Sequence, residues 1–249
     1  MSRKTFPNGC SCEWVEIYQC PLPELNGELT FSKAIGNLFN IDVVIDVGAA
    51  NSYLPKYFDK AKRIFLFDKH AMNHRHKNVL NINQFVGTGE DQLKLKDFHI
   101  EDYKHFYKID TDGYDFDVIK TIDDNHFQDI SFLQFEYDFH WQEKNFNIVD
   151  CIMYLRKYYK NFFYIQFNKL VRANIYDLSY EPFNKIGYKN IVCTNHSETD
   201  INIEMNRLHP DLDNSFYHKL KDVAIKDLEK QNTAKRRGNN YPHWTFKEN

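Results

Sequence analysis

Short apolar runs alternate with segments of helical spacing along most of the chain. Ile41 to Val47 is apolar except for Asp42 and Asp46, the pattern of a strand buried on both faces. Arg63 to Asp68 (RIFLFD), Val79 to Val86, His105 to Asp110 (HFYKID) and Ile130 to Tyr137 (ISFLQFEY) repeat it. Phe162 to Phe167 and Tyr188 to Cys193 predict two last strands as an antiparallel, hairpin-like edge, and Leu93 to Phe98 predicts an extra strand after the Gly87-Thr88-Gly89 turn. Between these runs, Thr30 or Ser32 caps a helix reaching Phe39, and Asn51 to Phe58 predicts a short helix with Pro55 in its first turn. Tyr114 to Ile122 has Phe116, Ile119 and Lys120 at helical spacing, and Phe146 to Tyr158 carries an apolar stripe of Ile148, Val149, Ile152, Met153 and Leu155. Strands alternating with helices predict an α/β fold, a mostly parallel central sheet with flanking helices.

Turn residues bound the main domain. Pro7, Asn8-Gly9, Pro21, Pro23 and Asn26-Gly27 make residues 1–28 an irregular lead-in, with at most a short strand at 14–18. The main domain is expected over 29–213, and 214–249 form a C-terminal helix (214–231) and a loose basic tail.

Composition narrows the partners. The net charge of -3 gives no whole-molecule cationic field, so a nucleic-acid partner is disfavoured, although 216–249 hold 8 Lys and Arg against 4 Asp and Glu. No window approaches the length of a membrane span, and the start of the chain, with Arg3 and Lys4 but no apolar stretch behind them, does not read as a secretory signal. Cys10, Cys12, Cys20, Cys151 and Cys193 lack the paired spacing of a zinc site and read as incidental thiols of a reduced, cytoplasmic protein.

In an open α/β sheet, ligands bind beyond the carboxyl ends of the strands. The first strand ends in Asp46-Val47-Gly48-Ala49-Ala50-Asn51-Ser52, a glycine turn that brings backbone N–H groups near a ligand. The second ends in Asp68, an acceptor for ribose hydroxyls. Together they suit an adenosine-bearing cofactor. A dinucleotide fingerprint fails, since Ala50 and Tyr53 replace two of its three glycines. The Asp46 carboxylate repels phosphate and suits a cationic amino group, which favours S-adenosylmethionine; a plain βα connection is the other reading. Lys108-Ile109-Asp110-Thr111-Asp112-Gly113-Tyr114-Asp115 places two carboxylates around the next strand tip, with Asp115 in the first turn of a helix. Capping explains one of these acids, not Asp110 as well.

Across VIDVGAANSY (44–53), FLFDKH (65–70), KIDTDGYDFDVIK (108–120) and FLQFEYD (132–138), the sequence resembles the FkbM-type class I methyltransferases. The resemblance covers about residues 40–140 and implies a Rossmann-like class I methyltransferase fold, S-adenosylmethionine as donor, and O-methylation of a sugar, glycan or other small hydroxylated metabolite. Asp46, Gly48 and Ala49 match the first motif; Ala50 stands where the family has Asn, with Asn51 beside it as the compensating side chain, and Ser52 stands where it has Gly. Asp68 replaces Glu at the ribose position, Val86 and Gly87 match the adenine region, Asp110 matches directly, and Asp112 and Asp115 replace Glu.

A hydroxyl nucleophile must lose its proton to a base within hydrogen-bond reach. Asp110, Asp112, Glu136 and His140 stand at strand tips, and histidine needs the least tuning near neutral pH. Asp110, Asp112, Glu136 and Asp138 would alternatively suit Mg²⁺, whereas His70, His74 and His76 read as a solvated loop. Tyr137, Phe139 and Trp141 offer faces for a sugar ring, unless they pack in the core. Two other functions compete. An RNA cap or ribose 2′-O-methyltransferase would want lysines at the strand ends, where this chain has Glu136; a catalytically inactive binding module is suggested by Ala50 and Ser52.

Overall fold

A computed structural model describes residues 27–173 and 189–210, apart from Asn51, Ala71, Asn73 and Phe139. The lead-in before Gly27, its cysteines, and the expected helix and basic tail from 214 lie outside the described residues.

The elements in chain order are α1 (Glu28–Leu38), β1 (Val43–Val47), α2 (Leu54–Tyr57), β2 (Arg63–Phe67), β3 (Val79–Ile82), β4 (His105–Ile109), α3 (Asp115–Ile119), β5 (Ile130–Tyr137), α4 (His140–Glu143), α5 (Ile148–Leu155), β6 (Asn161–Gln166), β7 (Lys169–Arg172), β8 (Lys189–Thr194) and α6 (Glu198–Leu208). They build one eight-stranded sheet in the order β3-β2-β1-β4-β5-β8-β6-β7. The pairs β3·β2, β2·β1, β1·β4 and β4·β5 are parallel; β8 runs antiparallel to both β5 and β6, and β7 antiparallel to β6. The fold is thus the expected mostly parallel α/β sheet with flanking helices.

Alternation along each strand sorts the core into two layers. Val43, Ile45, Tyr107, Ile109, Leu133 and Phe135 point toward α3 and α5. Val44, Leu66, Phe106, Phe132 and Val192 point toward α1, α2 and α6. Each fully buried Val, Leu, Ile or Phe contributes about 1.5–3 kcal/mol by leaving water, so the paired layers hold the strand tips in fixed register.

Some local expectations are corrected. Helix α1 begins at Glu28, with Thr30 and Ser32 buried within it rather than capping it. Gly27 sets its start in the left-handed region (φ +92°), where a Cβ would strike the carbonyl oxygen of Phe167. Leu93 to Phe98 is not a strand: Leu93 makes a single bridge to Val86, and Leu95–Phe98 is a 3-10 turn. The two last expected strands pair with each other, but β8 inserts between β5 and β6 and the edge is β7. Helix α6, capped by the Ser197 side chain, packs on α1 through Asn37 and Glu204.

Candidate functional site

The strand order reverses between β1 and β4, so their carboxyl ends open beside one another at the switch point. The loop after β1 is tied down on both sides. The Gly48 and Ala49 N–H groups both donate to the Phe67 carbonyl oxygen at 2.9 Å, and the Ala50 N–H donates to Asp68 Oδ2 at 2.8 Å. On the other side, the Asp110 N–H donates to the Val47 carbonyl at 2.9 Å. Asp68 Oδ1 accepts a second bond from the His70 N–H at 2.8 Å. Three N–H groups of the turn that were expected to face a ligand, those of Gly48, Ala49 and Ala50, are therefore engaged within the protein. The following helix also begins later than expected, at Leu54, with Pro55 in its first turn.

Asp46 points beneath this turn, toward α1. Only 2% exposed, it accepts a hydrogen bond from the Ser52 hydroxyl at 2.5 Å, while its Oδ1 is buried with no hydrogen-bond partner among the described residues. Burial lifts its carboxyl to about 6, against the pull of the Lys108 ammonium and the Ser52 bond. Asn51 lies outside the described residues.

Beside Asp46, β4 carries a buried ammonium. Lys108 Nζ lies 2.9 Å from Asp110 Oδ2 and 3.3 Å from Glu28 Oε1. Glu28 also accepts from the Tyr53 hydroxyl at 2.5 Å and from the Asn190 amide at 3.4 Å, and Asn190 in turn accepts from Gln134 at 2.8 Å. Burial works against the Lys108 charge, but Asp110, Glu28 and Asp46 raise its pKa. Asp110, whose side chain is 32% exposed, is the outer end of this network. Burial alone would lift its carboxyl; the Lys108 ammonium and a hydrogen bond from Glu136 hold it below the usual range. Glu136 moves the other way, pushed well up by burial and by the negative Asp110 beside it.

The loop after β4 crosses to the tip of β5. Asp115 is fully buried, accepting from the Thr111 hydroxyl at 3.2 Å and the Glu136 N–H at 3.3 Å. Burial, with Asp110 and Asp138 nearby, raises its pKa well above the usual range. Asp112 is exposed at the crest of the loop with φ +51°. Gly113 (φ +95°) lies against the backbone of His140, where a Cβ would come within 2.8 Å. His140 Nδ1 is hydrogen-bonded to Asp138 Oδ2, and the His140 N–H donates to Asp138 Oδ1 at 3.0 Å. Asp138 is buried, whereas the ring of His140 is 29% exposed.

Val86 is buried, and Gly87 lies beside Gln92 and Asp117. The Thr88 N–H and hydroxyl both donate to Asp117 of α3, at 2.9 and 2.6 Å, which fastens this loop to the motif after β4. Asp46 and Glu136 thus lie near the carboxyl ends of β1 and β5, and Asp68, Asp110 and His140 follow β2, β4 and β5, four neighbouring strands, with Asp112 on the loop after β4.

Two chemical expectations are corrected. Among the described residues no group of three His, Cys, Asp or Glu side chains is placed to hold a metal ion. Asp110 is engaged by Lys108 and Glu136 instead, and Asp112 faces solvent. Nor does Trp141 offer a stacking face: it is wholly buried, its indole N–H donating to the Glu136 carbonyl at 3.0 Å. Tyr137 is buried too, and Phe139 lies outside the described residues. The exposed aromatic beside His140 is Tyr114, with the Lys144 ammonium 4.7 Å from its ring centroid.

A family model, the methyltransferase FkbM domain, matches residues 5–164, well over half of the chain. The chain belongs to the FkbM methyltransferase family. No protein of the curated set matches it in sequence. Among solved structures, this FkbM domain is similar to SMU.1697c of Streptococcus mutans, a candidate methyltransferase in complex with SAH (13% identity, 68% of this chain, 97% of that one, TM-score 0.37). It is also similar to an rRNA methylase from Streptococcus thermophilus (11% identity, 68% and 95%, TM-score 0.38) and to a candidate hemolysin from the same organism (12% identity, 83% and 78%, TM-score 0.41). No helix of the described residues is long and apolar enough to cross a membrane.

Sequence reasoning missed three side chains of this site. Glu28 fell in the lead-in, Tyr53 was read only as a failed glycine position, and Lys108 only as part of a motif match. The signal for Lys108 was its place in an otherwise apolar strand two residues before Asp110, where alternation puts both on one face.

Proposed function

We propose that this FkbM domain is an S-adenosylmethionine-dependent O-methyltransferase acting on a hydroxyl of a sugar, glycan or related small metabolite. The observation that carries the reading is the donor set at the strand tips. With the Gly48, Ala49 and Ala50 N–H groups all bonded within the protein, these three are not available to a pyrophosphate. What the tips present are carboxyl groups, those of Asp68, Asp110 and Glu136, above a buried Asp46. A cationic, phosphate-free nucleoside fits that chemistry; a dinucleotide does not.

In this reading Asp68 binds the ribose hydroxyls through its remaining lone pairs, and the buried Val86 with Gly87 forms the wall beside adenine. Asp46, held by Ser52, sets the shape and charge under the turn, and Asp110 faces the cationic end of the donor. When bound, S-adenosylmethionine supplies an electrophilic methyl group. His140 takes the acceptor's hydroxyl proton at its ring, which Asp138 orients and whose positive charge Asp138 then balances. Tyr114 is the surface on which a sugar ring stacks. Much of the acceleration comes from holding donor and acceptor in line, an effect that can supply about 7–11 kcal/mol.

Incubation with methyl-labelled donor and a panel of sugars, glycolipids and capped RNA tests this. Label on a sugar hydroxyl is expected. Label in RNA alone would replace the acceptor class with the ribose 2′-O-methyltransferase reading, and donor binding without transfer to any acceptor would favour the inactive module.

A further inference from the structure

Lys108 poses a problem that the reaction outlined above does not use. Phe106, one pleat earlier on the same face of β4, is wholly buried in the core, and Lys108 continues that row at 5% exposure. Taking an ammonium out of water is costly, and a well-packed apolar side chain usually serves stability at least as well. The ammonium is instead bracketed by two carboxylates from opposite directions: Glu28 of α1 behind it, and Asp110 at the strand tip in front. Glu28 is itself fixed by Tyr53 and by Asn190 of β8, so the ammonium is braced from three elements of the fold.

Asp110 in turn shares a hydrogen bond with Glu136. Two carboxyls that share a hydrogen bond need one proton between them, and the surroundings decide which keeps it. Asp110 has the Lys108 ammonium at 2.9 Å. The other charged groups that act on Glu136 are also acids: Asp138 after β5 and Asp115 from the start of α3. Asp46 of β1 lies near both Lys108 and Asp110.

We propose that Lys108 is a positioning residue: braced by Glu28, its ammonium holds the Asp110 carboxylate at the strand tip and leaves Glu136 with the proton. The site then presents one fixed anion, Asp110, beside a neutral acid able to donate a hydrogen bond. The positioning stands on the burial of Lys108 and its ion pairs to Glu28 and Asp110; its use, attraction of the donor's cationic end to Asp110, rests on the proposed function.

Carbon-13 NMR of the side-chain carboxyls tests the proton distribution without any donor. In the wild-type protein the Asp110 carboxyl should titrate below that of Glu136, reading as ionised while Glu136 still reads as protonated. Replacing the ammonium alone strands the buried Glu28 carboxylate, so the informative variant is Glu28→Gln with Lys108→Met, which removes a charge pair together. In it the Asp110 midpoint should rise by about one pH unit or more, and S-adenosylhomocysteine should bind about tenfold more weakly by calorimetry. Lys108→Arg, which keeps the charge, should preserve the wild-type carboxyl pattern. The proposal is overturned if wild-type Glu136 is the ionised member, or if the double variant titrates as the wild type does. Should the double variant not fold, the wild-type spectrum still decides. Failure of the wild type to bind S-adenosylhomocysteine would instead count against the cofactor reading, leaving the NMR result to stand.

Discussion

Gly48 rests against the backbone of Asp110: a Cβ built at Gly48 would sit 1.7 Å from the Asp110 carbonyl oxygen. The two principal motifs of the sequence therefore touch through a glycine, and the tip of β4 limits the space open to the first motif's turn. Gly48 also has φ +79°, a conformation that costs an L-residue about 1–2 kcal/mol before any collision is counted. Gly48→Ala should therefore destabilise the protein by about 2 kcal/mol or more, read from urea unfolding, and should weaken donor binding because β1 and β4 must separate. Unchanged stability would contradict the packing described.

Asp68 joins β2 to that same turn. Asp68→Ala frees the Ala50 and His70 N–H groups near the surface, where water can satisfy them, so the expected stability loss is modest, about 1–2 kcal/mol. Donor affinity should fall at least about tenfold, the scale of one lost hydrogen bond to a charged group. Calorimetry alongside thermal unfolding separates the two effects; an unaltered affinity would remove Asp68 from the ribose site.

His140 and Asp138 form the pair assigned to proton removal. His140→Gln should lower turnover about 10²–10⁴-fold, the usual worth of a general base, while donor affinity stays near the wild-type value. Asp138→Asn should follow in the same direction with a smaller loss, because the ring keeps its place but loses its charged partner. A His140→Gln enzyme with full turnover under single-turnover conditions would hand the base role to Asp110 or Glu136.

The parts of this site that were legible in the sequence are those set by strand ends. Asp46, Asp68, Asp110 and Glu136 each close or follow an apolar run, and apolar runs locate parallel strands well. Glu28 was not legible, because the turn-rich segment before it gives no hint that the chain returns to β4 as a helix. For Tyr137 and Trp141 the sequence leaves sugar stacking and core packing open, since aromatic content says nothing about which face is buried; in the structure both are core residues. The place of β8 between β5 and β6 is a long-range pairing that no local pattern encodes. Helix α6 escaped notice because its sequence, ETDINIEMNRL, buries little more than Ile201 and Met205 on the apolar side.

At the opposite end of the sheet, His105, His99 and His126 stack with ring centroids 4.4 and 3.8 Å apart. His105 Nε2 donates to the Ile100 carbonyl at 2.9 Å, and Asp129 lies 3.0 Å from His99 Nε2. Burial lowers the His105 pKa to about 4, and burial with the neighbouring His99 lowers that of His126. The unfolded chain therefore binds a proton at His105 that the folded one refuses. Stability from this group is intact above about pH 6.5 and is lost as pH falls toward 4, by on the order of 3 kcal/mol in all. Asp115 and Glu136, whose pKa values are raised, act with the opposite sign, so the difference between wild type and His105→Phe is the informative quantity. The wild type should lose stability faster than the variant between pH 6.5 and 4; parallel curves would contradict the buried neutral imidazole.

Calorimetric titration of the wild-type protein with S-adenosylmethionine and, separately, with NAD⁺ bears most directly on the carboxylate-lined strand tips. One-to-one binding of S-adenosylmethionine with no heat from NAD⁺ is the predicted result. Silence toward S-adenosylmethionine at millimolar concentration, or tighter binding of the dinucleotide, would contradict the account.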